Sequence, residues 1–159
     1  MSFIDISGNI SEQIKQISQT VAEKVIVFMN FPENLEVAID FVSEDEIKRL
    51  NKEFRNIDRI TDVLSFPTFS IIAGEKLDVN SIEAQMSLAD NGFIHFGDMA
   101  ICIDQTKRQA DEFGVALEQE VKKLVIHSML HLMGYDHIED SDYEVMNPLE
   151  IELDNKIKI

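Results

Sequence analysis

A chain of 159 residues with 45% apolar side chains is sized for one domain with a real core. It contains no run of about 18 apolar residues, so it offers no membrane-spanning helix, and its single cysteine, Cys102, excludes an internal disulfide. The formal net charge of −16 argues against a protein that draws in nucleic acid through its bulk field.

The opening residues Met1-Ser2-Phe3-Ile4-Asp5 lack a basic segment followed by an apolar one, so no signal peptide is expected. With the cysteine usage, this predicts a cytoplasmic protein. From Ile10, the residues Ile14, Ile17, Val21, Val25 and Phe28 recur at helical spacing and predict a long amphipathic helix ending near Met29. Phe31-Pro32 should close it, because a residue before proline is pushed out of the α region. Val37, Ile39 and Phe41 alternate with Ala38, Asp40 and Val42 and read as a strand. Ser43-Glu44-Asp45-Glu46 is a capping box, after which Ile47, Leu50 and Phe54 form the expected buried face of a second helix.

A compact loop from Arg55 to Asp62 should lead into a β-like run, Val63-Leu64-Ser65-Phe66, ended by Pro67. Ile72 to Asn91 has weak periodicity and reads as a long excursion with a short helix near Ser81 to Leu88. Phe93 to Asp104 reads as a strand with a break at Gly97-Asp98; its second half is a buried apolar run in which Cys102 is a small hydrophobe rather than a nucleophile. His95, just before that break, is expected to be a partly exposed strand residue and not a ligand. Thr106 to Phe113 predicts a short helix capped by Gly114, and Leu117 to Met133 a longer one. Ser141 to Glu144 is a further capping box, opening a last helix that Pro148 should kink or split after Asn147. The basic pairs Lys48-Arg49, Arg55 with Arg59, Lys107-Arg108 and Lys122-Lys123 read one by one as solvated helix faces.

Three of the four histidines fall between positions 127 and 137. His127 and His131, at i and i+4, share one helix face. Gly134 then ends the helix, and the turn it permits can return His137 toward the first two rings. Three imidazoles so arranged make a zinc site with an open fourth position. The spacing is the long metzincin pattern with one change: Ser128 stands where that pattern has its general-base glutamate. A metal cage is therefore expected without the peptidase base.

The residues Asn51-Lys52-Glu53-Phe54-Arg55, Asp58, Thr61-Asp62-Val63-Leu64-Ser65-Phe66-Pro67, Gly97-Asp98 and the run from His127 to His137 together resemble the bacterial YbeY family, endoribonucleases also called rRNA maturation factors. The matches follow the family's order. The resemblance implies a single α+β, zincin-like domain over 1–159: a small mixed β-sheet packed with helices, with the metal-site helix near the C-terminus. It implies a single-strand-specific, metal-dependent endoribonuclease in ribosomal RNA maturation and ribosome quality control. Its partners would be single-stranded and ribosomal RNA and ribosome-associated proteins, with no membrane. One zinc ion would be held by His127, His131 and His137, and the family's essential arginine falls on Arg55. A guanidinium suits phosphoryl transfer, since it stays charged and donates two parallel hydrogen bonds to phosphate.

From the residues alone, Arg55 reads first as a structural ion-pair partner of Asp58 or Asp62. Asp136 reads either as an acceptor that orients a ligating imidazole or as a turn cap, and Asp62 and Asp98 read as structural loop carboxylates. Two other readings stand beside the nuclease: a metalloprotease lacking its glutamate, and a non-catalytic ribosome-assembly factor with a structural metal.

Overall fold

The computed structural model describes residues 1–135 and 146–159 with their side chains, and the backbone of 140–145. One four-stranded sheet organises these residues, in the order β1-β2-β4-β3. β1 is Phe3–Ser7, β2 Leu35–Val42, β3 Val63–Pro67 and β4 Ile94–Cys102. β1, β2 and β4 run parallel, and β3 joins β4 antiparallel as an edge. The α+β expectation with a small mixed sheet is met.

Helix α1 (Glu12–Phe28) starts where Ser11 accepts a hydrogen bond from the Ile14 N–H at 3.2 Å. Its end lies ahead of the predicted stop at Phe31-Pro32. Asn30 takes the left-handed conformation (φ 56°), and the Phe31 and Asn30 N–H groups bond the Ile26 and Val27 carbonyls. That double bond pattern closes a helix without help from proline.

β2 alternates buried and half-buried along its whole length. Val37, Ile39 and Phe41 face the main core with α1. The opposite face carries Val42 and, through the pairing with β4, Ala100 and Cys102, which pack under Ile47 of α2 (Glu44–Arg55). Ser43 caps α2 as expected, but the Glu46 carboxylate reaches forward to Arg49. Phe54 is a correction. It is 57% exposed and meets the Phe66 ring edge-on instead of entering the core. Arg55 also differs from the expectation of a loop residue, since it is the last residue of α2, followed by Asn56 in the left-handed conformation.

Two strands depart from the expected pattern. β1 has no counterpart in the sequence reading, although Ile4 and Ile6 alternate there with Phe3, Asp5 and Ser7. β4 runs unbroken through Gly97-Asp98; the irregularity is a bulge against β2 between Glu36 and Val37. Asp98 is thus a strand residue, not a loop one. α3 (Ile82–Met86), capped by Ser81, is the short helix expected in the excursion. α4 (Ile103–Phe113) begins three residues earlier than predicted, and Cys102 is fully buried.

α5 (Leu117–Leu132) lies on the core face against α1, α4, β3 and β4. Its end is seated by a glycine: a Cβ on Gly97 would come within 2.7 Å of the Leu132 Cδ2. The turn after α5 uses Gly134 at φ +101°, where a side chain would also collide with the Ile71 carbonyl. α6 (Asp140–Lys156) continues through Pro148 as one helix, so the second segment expected after Asn147 does not form. Burial of Met146, Leu153 and Ile157 offsets the lost backbone bond. No helix among the described residues is long and apolar enough to cross a membrane.

Candidate active site

α5 brings His127 and His131 onto one face, with ring centroids 4.5 Å apart and the two Nε2 atoms 2.9 Å apart. Glu150 of α6 places Oε1 3.4 Å from His127 Nδ1. Two imidazole nitrogens facing each other at this distance need a proton or a cation between them. Their spacing is somewhat shorter than the roughly 3.3 Å edge of a tetrahedron with zinc–nitrogen bonds of about 2.0–2.1 Å. The pair therefore fits two ligands of one ion. His137, the third expected ligand, and Asp136 lie outside the described residues, as do the side chains of the Ser141 to Glu144 capping box. Among the described residues no three His, Cys, Asp or Glu side chains converge as a metal site.

A cavity of about 260 Å³ opens over the two rings, lined by Arg55, Asp62, Ser65, Gln109, Lys123 and Glu150 beside them. Arg55 is thus brought to the histidines from the far end of α2. Its Nη2 donates to the Ser65 carbonyl at 3.3 Å. Neither ion pair suggested for it forms among the described residues: Asp58 lies 3.8 Å from Lys52 instead. Asp62, at the cavity wall, accepts from the Val63 N–H at 2.7 Å and from Gln109 Nε2 at 3.1 Å.

Ser65 serves both sides of the site. Its hydroxyl lies 2.7 Å from the Ser128 hydroxyl in a buried pair that ties β3 to α5, while its carbonyl holds Arg55. Ser128 is therefore turned into the protein, engaged with a strand. A glutamate could not occupy that space as a proton acceptor.

Sequence reasoning missed Glu150, Lys123, Gln109 and Ser65 as cavity residues. Only spacing could have flagged Lys123, which precedes His127 by one helical turn and so shares its face. Its neighbour Lys122 contradicts the solvated-face reading, being 4% exposed with its ammonium 3.2 Å from Asp154. Arg49 and Arg108 behave as expected, paired at the surface with Glu46 and Glu53, and with Glu44. His95 is not a ligand in the cavity. It lies between Glu36 and Asp98 on the α2 side of the sheet.

The family model described as Endoribonuclease YbeY matches residues 3–158. The chain belongs to the Endoribonuclease YbeY family. Endoribonuclease YbeY of Caldicellulosiruptor bescii is 39% identical over 148 residues, covering 92% of this chain and 86% of its own. The same-named protein of Clostridium botulinum strain Kyoto is 34% identical over 152 residues, covering 94% and 89%. A Thermotoga maritima protein determined in solution superposes with a TM-score of 0.61 at 27% identity, over 98% of this chain and 88% of that one. The chain is an endoribonuclease, and so a hydrolase of RNA.

Proposed function

We propose that this endoribonuclease is a metal-dependent, single-strand-specific enzyme of ribosomal RNA maturation and quality control, acting as one cytoplasmic domain alongside ribosome-associated proteins. Zinc is the metal proposed, with His127, His131 and His137 as its ligands and Arg55 as the catalytic arginine. One observation carries the reading: the Nε2 atoms of His127 and His131 meet at 2.9 Å in the cavity that Arg55 also lines. When bound, the metal supplies Lewis-acid stabilisation of phosphoryl charge.

The chain's own residues do the rest. Glu150 places a negative charge 3.4 Å from His127 Nδ1. Ser65 orients Arg55 through its carbonyl, so that the guanidinium stands at the cavity where negative charge grows on the non-bridging phosphate oxygens. Lys123 adds a second positive charge in a chain that is acidic overall, which favours a phosphodiester locally although the bulk field does not.

The buried Ser65–Ser128 pair counts against the protease reading, because no acid–base group stands beside His127 at that position. An open cavity with a guanidinium counts against a purely structural metal, since such sites are closed by four protein ligands. The test combines elemental analysis with cleavage assays on single-stranded and duplex RNA. One metal per chain and chelator-sensitive cleavage confined to single strands are expected. A metal-free preparation that cuts RNA at the same rate would overturn the proposal.

A further inference from the structure

A second groove opens beside the histidine cavity, between α4, α5 and α6. It has a volume of about 410 Å³ and is lined by Phe113, Glu120, Lys123, Ile126, Glu150 and Ile151 among others. Lys123 and Glu150 line both spaces, so the groove and the cavity share a wall. Glu120, Lys123, His127 and His131 form one stripe along α5, and Glu120 precedes His127 by roughly two turns, or about 10 Å.

Glu120 is anomalous. It is 2% exposed, and among the described residues its Oε2 has no hydrogen-bond partner. Its Oε1 lies 3.7 Å from the Lys123 ammonium, beyond hydrogen-bond length. A carboxylate oxygen buried without a donor is costly, and it would be satisfied by a ligand that brings N–H groups. Phe113, in the same lining, is 56% exposed, with the Lys123 ammonium 5.1 Å from its ring centroid. Ile126 and Ile151 complete an apolar slot. A flat ring with an N–H edge fits these walls, and single-stranded RNA presents such rings for stacking on aromatic side chains and reading along their pairing edges.

We propose that this groove is a nucleobase subsite selective for guanine, taking a base one or two nucleotides from the phosphate that is cleaved. The choice of base follows from the acceptor-only carboxylate. Guanine alone carries two adjacent N–H donors on its pairing edge, at N1 and N2. Adenine and cytosine each offer one amine beside an acceptor nitrogen, and uracil offers one N–H between two carbonyls. The inference rests on the endoribonuclease reading of the adjoining cavity and adds sequence preference to it.

The test uses the full-length, metal-loaded protein on a randomised single-stranded RNA pool, followed by defined oligonucleotides. Guanine is expected at one fixed position near the cut. Inosine at that position, which lacks the N2 amine, should slow cleavage about tenfold, the scale of one hydrogen bond to a charged acceptor. In Glu120→Gln the guanine-to-inosine ratio should fall toward one. Phe113→Leu, at an exposed position, should slow both substrates alike and keep the ratio, because both bases stack. Titration of the protein with guanosine and with inosine, followed by amide NMR shifts, reads the groove independently of cleavage. Shifts at Glu120 and Phe113 that favour guanosine support the subsite even in a preparation that cuts no RNA, a result that would sink the reaction alone. A ratio of one in the natural protein, a ratio that survives Glu120→Gln, or equal response to the two nucleosides would overturn the subsite and leave the reaction standing.

Discussion

The molecule holds histidines in two contrasting settings. His127 and His131 face each other nitrogen to nitrogen at 2.9 Å, one turn apart on α5, and Glu150 Oε1 lies 3.4 Å from His127 Nδ1. His95, on the far side of the sheet, has a carboxylate on each nitrogen: Glu36 Oε1 on Nδ1 and Asp98 Oδ2 on Nε2, both at 3.0 Å. Burial alone would pull the His95 pKa down, but hydrogen bonds and charge from Asp98 and Glu36 outweigh it, and the net shift is upward. The difference teaches what separates a ligand from a cation. A ring with acceptors on both nitrogens is favoured in its protonated form and has no lone pair to give. Two rings whose Nε2 atoms meet at hydrogen-bond distance are placed to share one proton or one cation.

The largest effect that can break this contrast is metal loss. His131→Ala should remove most of the bound metal and, with it, RNA cleavage, whereas His95→Ala should keep both. Elemental analysis and an RNA assay on the two variants decide it. Full metal content in His131→Ala would place the ion elsewhere. Next in size is Arg55→Ala, which should lower cleavage by about 10²–10³, the scale of one lost charge-stabilising donor in a transition state. Metal content and melting temperature should stay near those of the natural protein, because Arg55 is exposed and its single bond to the Ser65 carbonyl anchors no core. Arg55→Lys should recover only part of the rate, since an ammonium keeps the charge but loses the fork. A destabilised but fully active Arg55→Ala would leave that residue a structural role only.

What was legible beforehand follows the range of the interactions. Periodicity disclosed α1, β2 and α5 because each buries one continuous face, and the i, i+4 spacing of His127 and His131 put both rings on that helix. Phe54 failed because a helix face is buried only as far as its partner extends, and α2 overhangs the short edge strand β3. β1 is five residues long and takes its stability from the register with β2, which no local pattern contains. The cavity's walls were illegible for the same reason. Glu150 reaches His127 across 23 positions, and Ser65 reaches Ser128 across 63. The side of α5 bearing Lys122 also misled, because a lysine paired with Asp154 near the end of α6 reads locally as a surface charge.

The buried hydroxyl pair gives a smaller effect, on stability. Ser128→Ala leaves the Ser65 hydroxyl without its partner at a buried position, and should cost about 1–3 kcal/mol in denaturant unfolding. Replacing both serines with alanine should cost less than the sum of the single changes, as expected when two groups satisfy each other. Additive losses would mean that the hydroxyls act independently. Neither variant, nor the natural protein, should hydrolyse unfolded protein substrates.

The smallest effect is a pH dependence that belongs to His95 alone. Its pKa is raised in the folded protein above the unfolded value of about 6.5, so the folded state binds the proton more tightly. Its contribution to stability is then fully present below the unfolded pKa and is lost as pH rises through the folded one. Denaturant unfolding of the natural protein and His95→Gln should differ most below about pH 6.5, and the two should converge as pH rises through the raised folded value. The gap should also shrink with added salt, because the ring is partly exposed and its two carboxylates are screened. Subtracting one curve from the other removes the contribution of every residue that the two proteins share. A gap that widens with rising pH would mean that the neutral ring is the form the fold prefers, and that Glu36 and Asp98 do not hold His95 as a cation.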